Sequence, residues 1–419
     1  MPTIFKKLML ARFFFTFAVQ MQAIVLGWRM YELTKDPLYL GLIGLVEAIP
    51  ALSLALYAGH VVDRGRPLVI YRRLTFVSLT SGFIMLLSQI DSNLFGDHLS
   101  SQSQVILLFV SSFLTGCARA FSQPSMYSLI PKIIPRAMLS KSSAWMSSAM
   151  QTARMSGPAV GGILYGFLGI SGTATIICLC LALTTIILFT ISFNPPSNSQ
   201  EESGSIKDNL LSGVRFVFKH PLLLPAMSLD MVSVLFGGVT ALLPVYAAEI
   251  LFIGPEGLGV LRAAPAIGAF VMSTWLIRNS VTQKAGTKLF ISVAGFGISI
   301  LIFAFSRNYI LSLVALILSG MFDSVSMVIR TSLVQLSSPD HMRGRISAVN
   351  SIFIGSSNEL GEFESGVAAK ILGTFPAAVF GGCMCLMSVI VVFFISPTLR
   401  KLDFNHLENL NDKLLKANQ

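Results

Sequence analysis

The chain has 419 residues, 53% hydrophobic and only 12% charged, with a mean hydropathy of +0.73. A soluble protein of this length has too little interior to hide that much apolar surface, and the recurrent apolar runs of ~20 residues match the ~30 Å hydrocarbon core of a bilayer. The formal net charge of +10 does not indicate nucleic-acid binding, because the bases punctuate apolar segments and form no continuous stripe.

In chain order, the pattern predicts twelve spans. Six run roughly 9–32, 38–62, 68–90, 104–127, 142–168 and 172–194, and six run roughly 222–247, 257–278, 288–306, 309–336, 346–372 and 375–397. The first apolar run is read as a retained span, since no small-residue cleavage site follows it. Asn194-Pro-Pro-Ser-Asn-Ser-Gln-Glu-Glu-Ser-Gly-Ser reads as a polar linker. Lys207 to His220 follows as an amphipathic segment suited to the membrane surface. The domain plan is a first bundle over 1–194, a cytoplasmic linker over 195–220, a second bundle over 221–398 and a cytoplasmic tail over 399–419.

The second half repeats the first. A shift of 204 carries Gly116 onto Gly320, Ser128-Leu129 onto Ser332-Leu333, Gly157 onto Gly361, and Leu168-Gly169 onto Leu372-Gly373. Nearly the same shift carries the Cys178/Cys180 pair onto Cys383/Cys385. Residues at i and i+2 point to different sides of a helix, so these cysteines read as small packing residues and no metal site is expected. A parallel repeat of about six spans is one of the architectures of secondary transporters.

Lys and Arg in the loops set the orientation. One set of loops holds 22 of them, from Lys6 and Lys7 to Lys416, while the alternate loops hold Lys35 and Arg307. The first set, with both termini, is therefore expected in the cytoplasm, which makes the protein a multi-pass component of the inner or plasma membrane.

After the second span comes Gly59-His-Val-Val-Asp63-Arg64-Gly65-Arg66. Gly59 would let two helices approach closely. Asp63 ends a helix, where the dipole disfavours an anion, so it calls for a partner that can move away. Gly59, Asp63, Arg64 and Arg66 are the candidate gating latch. In the fifth span, Gly157-Pro158-Ala-Val-Gly161-Gly162 combines a missing backbone donor, and hence an expected helix bend, with glycines that admit a neighbouring helix.

Ionisable residues inside spans cost ~3 kcal/mol or more each at mid-bilayer and so face a cavity or a partner. They are Glu47 in span two, Arg119 in span four, Arg154 in span five, Asp230 in span seven, Asp323 and Arg330 in span ten, and Glu359, Glu362 and Glu364 in span eleven. Glu359 and Glu362 share a helix face. Two carboxylates so close cannot both ionise easily in a dry site, which suits a proton carrier. Glu47, Glu359, Glu362 and Asp230 are the proton-coupling candidates. Arg119, Arg154, Asp323, Arg330, Phe17 and Phe236 are the cavity and cargo candidates, with fixed ion pairing the competing role for Arg119, Asp323 and Arg330. Arg29 and Glu32, near the outer edge, are expected to snorkel.

These motifs carry a family resemblance. The hairpin at Gly59–Arg66 resembles the loop signature of the major facilitator superfamily, with one residue fewer between Asp63-Arg64 and Gly65-Arg66. Trp28-Arg-Met-Tyr-Glu-Leu-Thr-Lys-Asp-Pro37 and Pro339-Asp-His-Met-Arg343-Gly344-Arg345 resemble the branch that includes enterobactin-exporter and macrolide-efflux proteins. The span-five segment resembles the Gly-Pro-x-x-Gly-Gly signature of that superfamily's proton-coupled exporters. The resemblance implies an all-α membrane protein of twelve transmembrane helices in two pseudo-symmetric six-helix bundles, with a cavity lined by spans one, four, seven and ten.

It also implies a functional monomer that moves a small molecule by alternating access, with protons and the lipid bilayer as its other partners. Proton-coupled export of a siderophore-like compound leads, followed by multidrug or macrolide efflux and then lysolipid transport. A non-transporting receptor or scaffold on the same fold is the alternative from another class. An enzyme is not expected, because the five His lie in or beside loops and no Gly-x-Ser-x-Gly elbow occurs. Nor is a nucleotide or other cofactor, since no Gly-rich loop ends in Gly-Lys-Ser or Gly-Lys-Thr.

Overall fold

The computed structural model describes residues 2–88, 100–134, 138–192, 206–279, 283–339 and 342–404. Among them the chain is helical, with no strand. Backbone groups in lipid must be satisfied within their own segment, and helices do this. Nine helices among the described residues are long and apolar enough to cross a membrane. Their large apolar side chains stand exposed, with Ile277 and Phe167 each at least 80% accessible, as side chains that face hydrocarbon should be.

The first half comprises α1 (Thr3–Thr34), α2 (Pro37–Ser53), α3 (Ala55–Arg64), α4 (Pro67–Leu87), α5 (Ser101–Ile133) and α6 (Leu139–Phe189). The second comprises α7 (Ile206–Lys219), α8 (Leu223–Phe236), α9 (Leu243–Val245), α10 (Pro255–Arg278), α11 (Ala285–Phe305), α12 (Tyr309–Ser337), α13 (Arg343–Leu372), α14 (Thr374–Ile395) and α15 (Pro397–Arg400). A 3₁₀ turn and a π turn flank α9.

The starts follow local chemistry. Asp36 caps α2 by accepting from the Leu38 N–H at 3.0 Å, with Pro37 at the first helical position. Asn308 caps α12, accepting from the Ile310 and Leu311 N–H groups at 2.9 and 3.1 Å.

The chain divides into two compact units, Met1–Gln200 with Thr240–Ala263, and Glu201–Val239 with Ala264–Gln419. In unit 1, α1 packs along α6, and α5 packs against α4 and α2. In unit 2, α11 packs against α12 and α14, and α8 against α13 and α14. The repeat is visible in these packings. Gly116 leaves no room for a Cβ beside the Glu47 carbonyl of α2, and its counterpart Gly320 leaves none beside the Pro265 carbonyl of α10. Gly157 meets the Phe17 carbonyl of α1 at 3.0 Å from its missing Cβ, and Gly361 meets the Leu235 carbonyl of α8 at 2.7 Å. Gly169 and Gly373, also repeat partners, both adopt positive φ, 63° and 92°, which only glycine holds without strain.

The structure departs from the predicted spans in three places. Span two is broken into α2 and α3 at Leu54, beyond the internal Pro50. Span seven is broken after Phe236 at Gly237 and continues as the 3₁₀ turn, α9 and the π turn, whereas α6 is two helices that meet at a kink at Gly169, in the gap predicted between spans five and six. Span eleven is helical as α13 but is absent from the nine apolar crossings, because Glu359, Glu362, Glu364 and Lys370 lower its hydropathy. Pro158 keeps helical dihedrals, so the break in α6 is eleven residues further on, at Gly169. A Cβ on Gly59 would meet nothing within 4 Å, so the close helix approach expected there is not made. The amphipathic segment forms α7, which packs on α13 and α8 with Val217 fully buried.

Candidate functional site

Unit 2 holds a buried charge cluster. Asp230 of α8 is bonded to Arg330 of α12, with side chains only 8% and 6% exposed. Asp323, seven residues before Arg330 and so on the same helix face, lies 4.0 Å from the same guanidinium. The Arg330 Nε also donates to the Ser326 carbonyl at 3.3 Å. Two carboxylates therefore share one guanidinium. An ion pair removed from water is costly unless geometry and hydrogen bonds offset the desolvation, and a second carboxylate beside it is a place to hold a proton.

Unit 1 holds a cavity of about 460 Å³, within the size range of small-molecule sites. Three helices contribute. From α1 comes Arg12, only 5% exposed, whose guanidinium donates to the Ser122 hydroxyl and, at 3.1 Å, to Gln123 Oε1. Its Nε is buried without a partner. From α5 come Gln123, Met126, Tyr127 and Ile130, a stripe at helical spacing. From α6 comes Arg154, with Gln151, Ser147 and Met150 at three, seven and four residues before it.

Arg12 and Arg154 thus bring two like charges to one cavity. Among the described residues that line the cavity, none is acidic. One turn before Gln123 on α5, Arg119 is bonded to Glu47 of α2, so its charge is offset, whereas Arg12 and Arg154 have no carboxylate bonded to them among the described residues.

The remaining sequence candidates distribute as follows. Glu47 and Arg119, assigned to different roles from sequence, form one pair. Glu359 and Glu362 lie half-buried on α13 in unit 2. Phe17 is stacked on Phe13 at 5.8 Å, and Phe236 meets Phe380 edge-on at 5.8 Å. Gly157 and Gly161 face α1, the latter 2.9 Å from Ile24 at its missing Cβ, while Gly162 faces Gly259 at 2.7 Å. Arg66 is exposed at the start of α4. The side chains of Asp63 and Arg64 lie outside the described residues, so their latch role has no geometry here.

Sequence reasoning missed three features. Arg12, close behind Lys6 and Lys7 and not singled out by the sequence pattern, is buried at 5% exposure. The signal for it is the repeat: the shift of 218 that carries Phe17 to Leu235, whose carbonyls face the paired glycines, also carries Arg12 to Asp230. Glu32 has three side-chain partners that the sequence does not announce. It accepts from Trp28 and Tyr165, both at 2.6 Å, and from Arg29 at 3.2 Å. The Tyr31 hydroxyl donates to Glu249 within unit 1, and the two stand at the same shift of 218 that relates Arg12 to Asp230.

The sequence model of a family described as "Transmembrane secretion effector" matches residues 1–418. The Staphyloferrin A transporter of Staphylococcus aureus is 20% identical over 90% of this chain and 92% of its own. The enterobactin exporter EntS of Shigella boydii is 22% identical over 59% of each chain. Among solved structures, a D-xylose-proton symporter superposes with a TM-score of 0.71 at 13% identity, covering 95% of this chain and 99% of that one.

Proposed function

Since the chain belongs to the transmembrane secretion effector family of major facilitator transporters and so to the multi-pass carriers of small molecules, we propose that it exports a siderophore-like compound by alternating access, driven by an inward proton gradient. The observation that carries the energetic part is the pair of carboxylates on one guanidinium, Asp230 and Asp323 on Arg330. With both ionised the cluster has a net charge of −1, and one proton makes it neutral. A conformational equilibrium is biased by any ligand that distinguishes its two states, and a proton at this position is such a ligand. Asp230 and Asp323 lead the proton-coupling role, with Glu359 and Glu362 on α13 in support. Glu47 serves instead as the anion that offsets Arg119.

The cargo class rests on two relatives that handle enterobactin and staphyloferrin A, and on the arginines Arg12 and Arg154, which no carboxylate offsets among the described residues around the unit 1 cavity. The direction rests on the Gly157-Pro158 segment, whose glycines bring α6 against both α1 and Gly259. The loop charge asymmetry supports cytoplasmic termini in the inner or plasma membrane. The test is comparative metabolite analysis of iron-starved cells with and without the gene. Iron-chelating acid should build up inside the deletion strain and fall in its medium. Unchanged partition of all such acids would remove the cargo assignment.

A further inference from the structure

We infer that the unit 1 cavity is a binding site for an organic monoanion with an aromatic or otherwise apolar body, anchored by Arg154 and Arg12. The inference deepens the export reading and depends on it only in naming that anion as cargo.

The polar wall is built to donate. Arg12 is fixed by two neutral acceptors, so its position is set while its charge is left over. The same bonds propagate outward: Gln123 accepts from Arg12, and its Nε2 donates to the Tyr127 hydroxyl at 3.0 Å. That hydroxyl has used an acceptor lone pair and keeps its own hydrogen to give. Tyr127 is 69% exposed, so a ligand can take it. Arg154 stands opposite on α6 with no carboxylate bonded to it among the described residues. Two guanidiniums lining one cavity without an acidic neighbour among the described lining residues favour an anion between them and disfavour a cation. The buried Nε of Arg12 has no hydrogen-bond partner among the described residues.

The other wall is apolar and adaptable. Met126 lies on α5, while Met146 and Met150, four apart, lie on one face of α6. Behind them Phe5, Ile134 and Met146 form a small core against which Met150 and Ile130 pack. Methionine side chains conform to varied shapes and favour aromatic contacts. A charged head on Arg154 and an aryl body on the methionines fit the same volume.

The repeat strengthens the assignment. In unit 2 the position of Arg12 is Asp230, that of Met126 is Arg330, and that of Arg154 is Asn358. The second half fills its equivalent place with an internal ion pair, and the first half leaves its charges for an external partner.

The test uses the full-length protein in nanodiscs, with radiolabelled salicylate and its neutral isostere salicylamide measured by equilibrium dialysis. The wild type should bind salicylate at least about tenfold tighter than salicylamide. Arg154→Gln should remove about that factor for salicylate and leave salicylamide unchanged, while Arg154→Lys retains most of it. Met150→Glu, which puts a carboxylate in the cavity, should weaken salicylate to a similar degree. Equal affinity for the two probes, or an Arg154→Gln variant indistinguishable from wild type, would overturn the proposal. Discs of phosphatidylcholine and of phosphatidylglycerol separate cargo from lipid headgroup. Loss of salicylate binding in the phosphatidylglycerol discs alone would assign the site to anionic lipid and overturn it. Charge-selective salicylate binding combined with unchanged metabolite partition in cells would sustain this site and sink the export reading.

Discussion

The two halves share a frame and differ in sign. Paired glycines hold the helices of both at equivalent closeness, Gly116 with Gly320 and Gly157 with Gly361, and both turn on a positive-φ glycine, Gly169 and Gly373. At matching places on that frame, the first half has Arg12 and Arg119 where the second has Asp230 and Asp323. The second half resolves its charges internally through Arg330. The first resolves only Arg119, through Glu47. A carrier needs one region that meets its cargo and another that responds to the driving ion, and a duplicated bundle with divergent charges supplies both without a new fold.

The largest expected effect breaks the second half's pair. Arg330→Met leaves Asp230 buried without a counter-charge and should cost about 3–5 kcal/mol, read as a fall in the unfolding midpoint of the purified protein. Adding Asp230→Asn should recover most of the loss. The equivalent deletion in the first half, Arg12→Met, removes a charge already lacking a partner and should cost about 1 kcal/mol or less, because Ser122 and Gln123 can find other partners. Equal losses in Arg330→Met and Arg12→Met would erase the contrast between the halves.

The frame itself is tested next. Gly116→Ala and Gly320→Ala both push a methyl into a facing backbone carbonyl, and each should cost about 1–3 kcal/mol. Gly59→Ala enters open space and should leave the midpoint unchanged. Unequal losses at Gly116 and Gly320 would show that the two packings are not equivalent.

These contrasts mark what was legible in the chain. Hydropathy located the spans because lipid imposes length and composition on each of them. The shift of 204 located the glycine contacts because close helix approach tolerates few other residues. The break between spans five and six fell in the predicted gap, at Gly169. Side-chain partners were less accessible. Glu47 and Arg119 are 72 residues apart, and no local spacing says that they meet. Arg12 sits beside Lys6 and Lys7, and its loop-like surroundings hid a buried role. Pro158 suggested a bend because proline removes a donor, but α6 stays helical through it.

The smallest effect is outside the membrane-spanning segments. His220 precedes α8, and its Nδ1 accepts from the Leu222 and Leu223 N–H groups at 3.3 and 3.2 Å, which requires the neutral ring. Burial pushes its pKa down to about 4 from the usual 6.5. The unfolded chain therefore binds this proton at higher pH than the folded one. The stabilisation is complete above about 6.5 and declines as pH falls toward 4. His220→Asn, which can still cap the helix, should flatten the stability profile over that window. An unaltered profile would mean that other groups set it.

The most direct test of the division of labour is paired flux in proteoliposomes, with pH-gradient-driven uptake and cargo-for-cargo exchange of the accumulated acid measured on the same preparations. If the second half carries the coupling, Asp323→Asn should keep exchange and lose accumulation driven by the gradient. Arg154→Gln, in the first half, should weaken both through affinity for the cargo. Full gradient-driven accumulation in Asp323→Asn and Asp230→Asn alike would contradict the account and leave the unit 2 cluster as a structural ion pair.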